Sequence, residues 1–356
     1  MKKKPCSSML AIGLVASLSL LFSGCASEPE SQSEGTAGMN LDAAPPEQPK
    51  GIVEFEQVKP GEGEGIKVGF TQLTLSSVFP QALQKGMEEQ AEIAGIELVT
   101  CDSQMDAGKA LDCAKQFATQ NVDALVTFQA DVAASPEICD AGPDVPVFAV
   151  DIEQQPCQTS FVGAANTYAG EIVGYGLGKW FAENEKCEYD AFVSLESTAV
   201  GEVNDMRMGG IRSGFESVCG TIHDLKIIDT GSGGQADTAL QQMTDTLTSL
   251  PGLEKIIVVG INEDVVVGAL GAARTQDRID DLYLGVQNFD PSNCTITEAP
   301  NWIGSAGYFP ERYAELIIPN VIRAAKGEEV SADLLVPHEF ITKDNVKEFY
   351  PEYSCS

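Results

Sequence analysis

The sequence predicts an α/β fold of two similar doubly wound lobes, each built on a parallel sheet, and three observations carry that prediction. Short β-rich runs alternate with amphipathic stretches from Ile66 onward, giving three strand–helix units in a row. The same βαβαβα order then repeats in the second half of the chain. Runs of consecutive apolar residues, VPVFAV and KIIVVG, are what strands buried on both faces require.

The elements follow in order. IKVGFTQ reads as a strand, and SSVFPQALQKGMEEQAEIAG as a helix with Phe79, Leu83 and Met87 at i+4 spacing and Gly95 as its stop. IELVTCD is the next strand and DAGKALDCAKQFATQN the next helix; VDALVTFQ, a helix over about 130–141, and VPVFAVDI complete the first block. A helix over 169–184 leads to YDAFVSLE, a helix over 207–219, DLKIIDTG, a helix over 236–250, KIIVVGIN, a helix over 265–276, and LYLGVQNF. In open parallel sheets ligands bind beyond the carboxyl ends of the strands, so the polar residues ending each strand are site candidates: Gln72, Asp102, Gln129, Asp151, Glu196, Asn262 and Gln287.

Ahead of this body stand Met1, three lysines and an apolar run from about Met9 to Phe22, the pattern of a secretory leader over 1–24. The run is too short for a stable membrane span. Leu21, Phe22, Ser23, Gly24 and Cys25 resemble the lipobox of bacterial lipoproteins, which implies acylation of Cys25 and anchoring at the extracytoplasmic face of a membrane. Residues 25–65, rich in Ser, Glu, Pro, Gly and Gln, cannot bury a core and are expected as a flexible tether.

Formal net charge is −31, and loss of a leader carrying Lys2, Lys3 and Lys4 takes it to −34, which disfavours nucleic acid and anionic lipid surfaces as partners. Setting aside Cys6 and Cys25 leaves eight of the ten cysteines, an even number in an exported chain. Neighbour pairing is expected: Cys101 with Cys113, Cys139 with Cys157, Cys187 with Cys219, Cys294 with Cys355. Eight cysteines allow 105 connectivities, and fewer bridges with free buried thiols is the alternative. Cys-x-x-Cys pairs are absent and the histidines are only His223 and His338, so neither a metal site nor a cofactor is expected. No nucleophile elbow or triad pattern appears, which argues against an enzyme. TGSGGQAD (230–237) is glycine-rich but lacks the Gly-Lys-Ser/Thr ending of a phosphate loop and reads as a strand-to-helix turn.

Six segments, in this order and spacing, resemble the periplasmic sugar-binding proteins of the ribose-binding type. They are VGFTQLTLSSVFPQALQKGMEEQAEIAGIELVTCDSQMDAGKALDCAKQF, VPVFAVDIE, VGAANTYAGEIVGYGLGKW, RMGGIRSGFE, INEDVVVGALGAAR and AELIIPNVIRAAKGEE, spread over about 66–343. The resemblance implies a type I periplasmic-binding fold with two lobes joined by a three-strand hinge. Residues 66–165 with 309–338 would form the N-terminal lobe, and 166–308 with 339–356 the C-terminal lobe. It further implies a monomer that clamps a monosaccharide or polyol and delivers it to an ABC transporter permease; a ligand-binding sensor for a membrane signalling receptor is the alternative. By position, Phe79 would stack on the sugar, Asp151 would accept hydroxyl hydrogen bonds, Arg207 would donate two, and Asn262 would donate and accept. Gln287, or Asp290 if the strand is longer, would stand for the family's next aspartate, and Tyr308 for its hinge-side glutamine. Gln129 and Trp302 are further wall candidates, Trp302 reading first as a core residue. Ile152 stands where relatives carry an arginine, which removes a donor and leaves the exact sugar open; Gln287 and Tyr308 suggest a ligand other than ribose. Every expected disulfide lies within one lobe, as an opening hinge requires.

Overall fold

In the computed structural model residues 38–231 and 234–355 are described; the leader, Cys25, the start of the expected tether, and Ser232 and Gly233 of the glycine-rich turn lie outside them. The first half runs β1 (Lys67–Gln72), α1 (Val78–Ala94), β2 (Glu97–Asp102), α2 (Ala107–Gln120), β3 (Ala124–Thr127), α3 (Ser135–Ala141), β4 (Val147–Val150) and β5 (Ser160–Ala164). The second runs α4 (Asn166–Glu185), β6 (Ala191–Glu196), α5 (Glu202–Cys219), β7 (Leu225–Asp229), α6 (Ala236–Ser249), β8 (Ile256–Gly260), α7 (Glu263–Thr275) and β9 (Leu282–Gln287). It ends with α8 (Cys294–Thr297), β10 (Trp302–Gly307), α9 (Ala314–Ala325), β11 (Asp333–Val336), β12 (Glu339–Ile341) and α10 (Val346–Phe349).

The strands form two sheets, ordered β11-β5-β4-β3-β1-β2 and β12-β10-β9-β8-β6-β7. Five consecutive strands of each follow the same doubly wound order, so the halves repeat one topology, and each sheet changes direction between its first and third strands, β1/β3 and β6/β8. The last two strands swap sheets: β11 pairs in parallel with β5, whereas β12 pairs antiparallel with β10. The chain thus crosses between lobes after β5, after β10 and between β11 and β12. Strands β3, β4, β6, β8 and β10 are buried at every position, as their unbroken apolar runs predict, with Phe70, Phe148, Phe192 and Val258 in the core. Strand β5 (SFVGA) escapes the sequence reading although it is longer than β3 or β4, because a serine and a glycine break its apolar run.

Helix α5 begins at Glu202, ahead of the expected 207, because Gly201 (φ +61°) turns the chain into it. Helices α4 and α5 touch backbone to backbone: a Cβ on Gly170 would lie 2.3 Å from the Arg207 carbonyl oxygen, and one on Gly174 would lie 1.9 Å from that of Ile211. All four expected disulfides are present, with Cα–Cα separations of 5.3–5.7 Å, and each joins residues of one lobe.

The expected tether over 25–65 departs from expectation from residue 38 on, where the chain is fastened to both lobes. On the C-terminal lobe, Asn40 N–H donates to Val218 O (2.6 Å), Tyr175 OH to Ala43 O (2.9 Å) and Lys179 Nζ to Leu41 O (2.9 Å). On the N-terminal lobe, Val53 and Gly51 exchange hydrogen bonds with Leu335, Glu56 pairs with Arg323 (2.6 Å), and Val58 N–H donates to Gln90 Oε1. Composition ruled out a core of its own for this stretch, but not a strap lying on a core already built. Deleting residues 38–50 is expected to lower unfolding free energy by about 2 kcal/mol, the net value of a few hydrogen bonds and their packing. Chemical denaturation checks this; equal midpoints for both forms would show that the strap adds nothing.

Candidate functional site

The candidate site lies where the carboxyl ends of both sheets converge on the crossings. On the N-terminal lobe, Asp151 follows β4 directly and has φ +53°, with Ile152 N–H closing a tight turn onto Val150 O (2.6 Å). A left-handed conformation at a non-glycine residue is strained, and the turn aims the carboxylate off the strand end. Asp151 Oδ1 accepts from Ala164 N–H (3.3 Å) and Tyr313 OH (3.4 Å). Burial pushes the Asp151 carboxyl up to about 6, against the opposing pull of Arg207, Ala164 N–H and Tyr313 OH. Burial also holds the Tyr313 phenol well above its ordinary value, so it remains a donor.

The half-buried Phe79 ring sits edge-on to Tyr313 (5.5 Å between centroids) and to Phe128 (6.3 Å). One side of Phe79 therefore packs on the core while the group stands beside Asp151, an aromatic wall next to a carboxylate.

Arg207 reaches in from the second turn of α5 on the other lobe. Its Nε donates to Asn166 Oδ1 (2.7 Å), its Nη1 to Ile261 O (3.3 Å), and its guanidinium lies 5.0 Å from the Tyr308 ring centroid. The backbone contact between α4 and α5 sets this placement, since Asn166 opens α4 and Gly170 abuts the Arg207 carbonyl. Tyr308 is buried, its phenol pushed up to about 12 by desolvation, and its OH donates to Gln287 Oε1 (2.8 Å).

The structure thus brings Phe79, Asp151, Arg207 and Tyr308 together. Asn262 stands at the end of β8 on the same side, but Oδ1 caps α7 by accepting from Val265 N–H (3.1 Å) and Nδ2 donates to Gly234 O (3.1 Å). Gln287 is fully buried, with Nε2 on Ala169 O (3.2 Å) and Oε1 on Tyr308, so it supports Tyr308 from behind. Gln129 is likewise internal, bonding Ser135 Oγ (3.2 Å) and Asp131 N–H (2.7 Å). Glu196 is held by Arg212 (2.6 Å), Asn204 (2.9 Å) and Ser194 (2.8 Å). Trp302 is a core residue, stacked on Phe289 with its indole N–H on Ser305 Oγ. A polar residue ending a strand with its side chain turned inward must be satisfied inside, which explains Gln129, Glu196 and Gln287.

Strand-end reasoning passed over Tyr313 and Asn288. Asn288 is the first residue beyond β9 and has φ +68°; its Nδ2 donates to Glu263 Oε2 (3.1 Å), and its buried Oδ1 accepts no hydrogen bond among the described residues. The run LYLGVQNF already contains Asn288, but Gln287 reads as its polar end, and only the positive-φ turn shows that the next residue leaves the strand. Glu263, whose Oε1 accepts from Asp290 N–H (3.1 Å), is pushed up to about 7 by burial, reinforced by the nearby Asp290 and Asp264 charges. Among the described residues no cluster of His, Cys, Asp and Glu could hold a metal ion, and no helix is long and apolar enough to cross a membrane.

Residues 68–329 match the family model described as a periplasmic binding protein domain. The ribose import binding protein of Bacillus subtilis is 24% identical over 258 residues, covering 68% of this chain and 80% of that protein. An ABC transporter solute-binding protein from Bacillus halodurans with bound myo-inositol superposes with a TM-score of 0.65 at 20% identity, covering 82% of this chain and all of that one. A carbohydrate transporter solute-binding protein from Agrobacterium radiobacter, in complex with D-arabinose, gives 0.66 at 18% identity, covering 82% and 99%. Members of this family are solute-binding proteins rather than enzymes. With its matched span reaching from β1 to just past α9, this chain belongs to the periplasmic binding protein family.

Proposed function

We propose that the chain is the lipid-anchored, solute-binding component of an ABC importer and closes as a monomer on a monosaccharide or polyol. The observation that carries this reading is the opposition of Asp151 on one lobe to Arg207 on the other, the guanidinium acting on the carboxyl electrostatically beside the Phe79–Tyr313 wall. A carboxylate and a guanidinium suit vicinal hydroxyls, which accept and donate at once, and aromatic faces suit the C–H side of a sugar ring. A ligand bridging both lobes shifts the open–closed equilibrium by its differential affinity, and the closed form is what a permease would recognise. Anchoring through Cys25 rests on the lipobox pattern alone. Ribose, myo-inositol and D-arabinose, named for relatives, support the ligand class.

Mass spectrometry of the small molecule released on denaturing the purified protein, followed by calorimetry with D-ribose, D-arabinose, myo-inositol and glycerol, tests the proposal. Asp151→Ala and Arg207→Ala are each expected to weaken binding by about 10–100-fold, the value of charge-assisted hydrogen bonds, and Asn262→Ala less, since its amide is committed to the α7 cap. The proposal is rejected if no polyhydroxylated compound is released and none of the four gives binding heat.

A further inference from the structure

The three crossings between the lobes meet at one side chain. His338 lies on the third, between β11 and β12, and is 1% exposed. Its Nε2 accepts from the N–H of Ala165 on the first crossing at 3.0 Å. Its Nδ1 lies 3.0 Å from the carbonyl oxygen of Gly307, the last residue of β10 at the second crossing. The ring also stands edge-on to Tyr308, 4.6 Å between centroids, on the face of the hinge where Arg207 lies over the phenol.

These partners admit one protonation state. Gly307 O accepts, so Nδ1 carries the proton; Ala165 N–H donates, so Nε2 keeps its lone pair. A second ring proton would set N–H against N–H. Desolvation, with the nearby Arg207 charge adding to it against the Gly307 bond, lowers the imidazole to about 4 and keeps it neutral. On the outer side, Pro45 and Pro46 of the strap share a groove with His338, Trp302 and Phe340.

We propose that His338 is a positioning residue for ligand capture: a single neutral imidazole fastens all three crossings to one another, so that they turn as a unit. On this view it keeps Tyr308 and the Arg207 above it in fixed register to Asp151. No other side chain type offers a donor and an acceptor at opposite ends of so short and rigid a ring, and each end is used here by a different crossing. The inference rests on the reading of the cleft as a binding site, but its geometry is testable without any ligand.

The test is the distribution of distances between fluorophores on the two lobes, at Lys115→Cys in α2 and Asp245→Cys in α6, both on exposed surface, in ligand-free protein. His338→Phe fills the volume but supplies neither bond, and is expected to broaden a single dominant distance into a wide or two-peaked distribution. His338→Asn, which keeps a donor near Gly307 O, is expected to restore part of the sharpness. Superimposable distributions for wild type and folded His338→Phe would overturn the proposal. Should His338→Phe fail to fold, hydrogen exchange decides: the Ala165 amide is expected to be as protected as sheet amides in wild type and to exchange about tenfold faster in His338→Asn. An Ala165 amide exchanging like an exposed loop in wild type overturns the proposal as well. A sharp, His338-dependent distribution in a protein that binds none of the four test compounds would leave the hinge role standing and sink the proposed ligand class instead.

Discussion

Gly174→Ala is expected to destabilise the protein by about 3 kcal/mol and to weaken ligand binding with it. The added Cβ would sit 1.9 Å from Ile211 O, 2.7 Å from Ile211 C and 2.8 Å from Phe215 N. All three are backbone atoms of α5, so no side chain can rotate away and the helices must separate. Gly170 and Gly178 on α4, and Gly210 and Gly214 on α5, face the same seam, so the opening would propagate. Because Arg207 rides on α5 and is held by Asn166 on α4, separation moves the guanidinium relative to Tyr308 and Asp151. Chemical denaturation and calorimetry on the same sample check both effects. A folded variant of unchanged stability would show that the seam has slack; lost stability with unchanged affinity would uncouple the seam from Arg207.

Asp151→Asn is expected to push stability and affinity in opposite directions. The native state raises this carboxyl from 3.8 to about 6, so the folded form holds its proton over a range where the unfolded chain has released it. The ligand-free protein therefore loses stability as pH rises from about 4 to 6, and the deficit is complete above that window. Replacing the carboxylate by an amide removes the deficit, a gain of about 1–2 kcal/mol at pH 7.5; the full shift would give more, but the side chain keeps contact with solvent. The gain should vanish below pH 4. Affinity should fall at least about tenfold, because one acceptor oxygen becomes a donor. Melting of the ligand-free pair at pH 7.5 and pH 4, with calorimetry at pH 7.5, settles the matter. A variant less stable at pH 7.5 would show that Asp151 serves the fold through Ala164 and Tyr313 rather than waiting for a ligand.

Much of the fold could be read residue by residue. Unbroken apolar runs marked β4 and β8, Gly95 marked the end of α1 with φ +74°, and neighbour pairing of cysteines matched all four bridges. The strands and the helix stop depend on local pattern, which is present in the chain before it folds; the bridges follow cysteine order, over separations of up to 61 residues. Less of the site was legible. The rule that picks polar residues at strand ends found Asp151, but it also picked Gln129, Gln287 and Glu196, whose side chains serve internal bonds. It passed over Tyr313, which sits on no strand end and reaches Asp151 across 162 positions of sequence. Nor could composition show that residues 38–58 would lie across both lobes, since the surface they dock on exists only after the lobes form.

Local order thus came from the chain's own pattern: two repeated βαβαβα blocks and buried parallel strands, with bridges between cysteines that follow one another in the sequence. The tertiary structure alone decided which end of each side chain faces the cleft, through positive-φ turns at Asp151 and Asn288, helix contact at Gly170 and Gly174, and the meeting of three crossings at His338. The reason is physical: periodicity reports burial along one element, whereas a site is made of side-chain directions and hydrogen-bond partners that come from elements far apart in sequence.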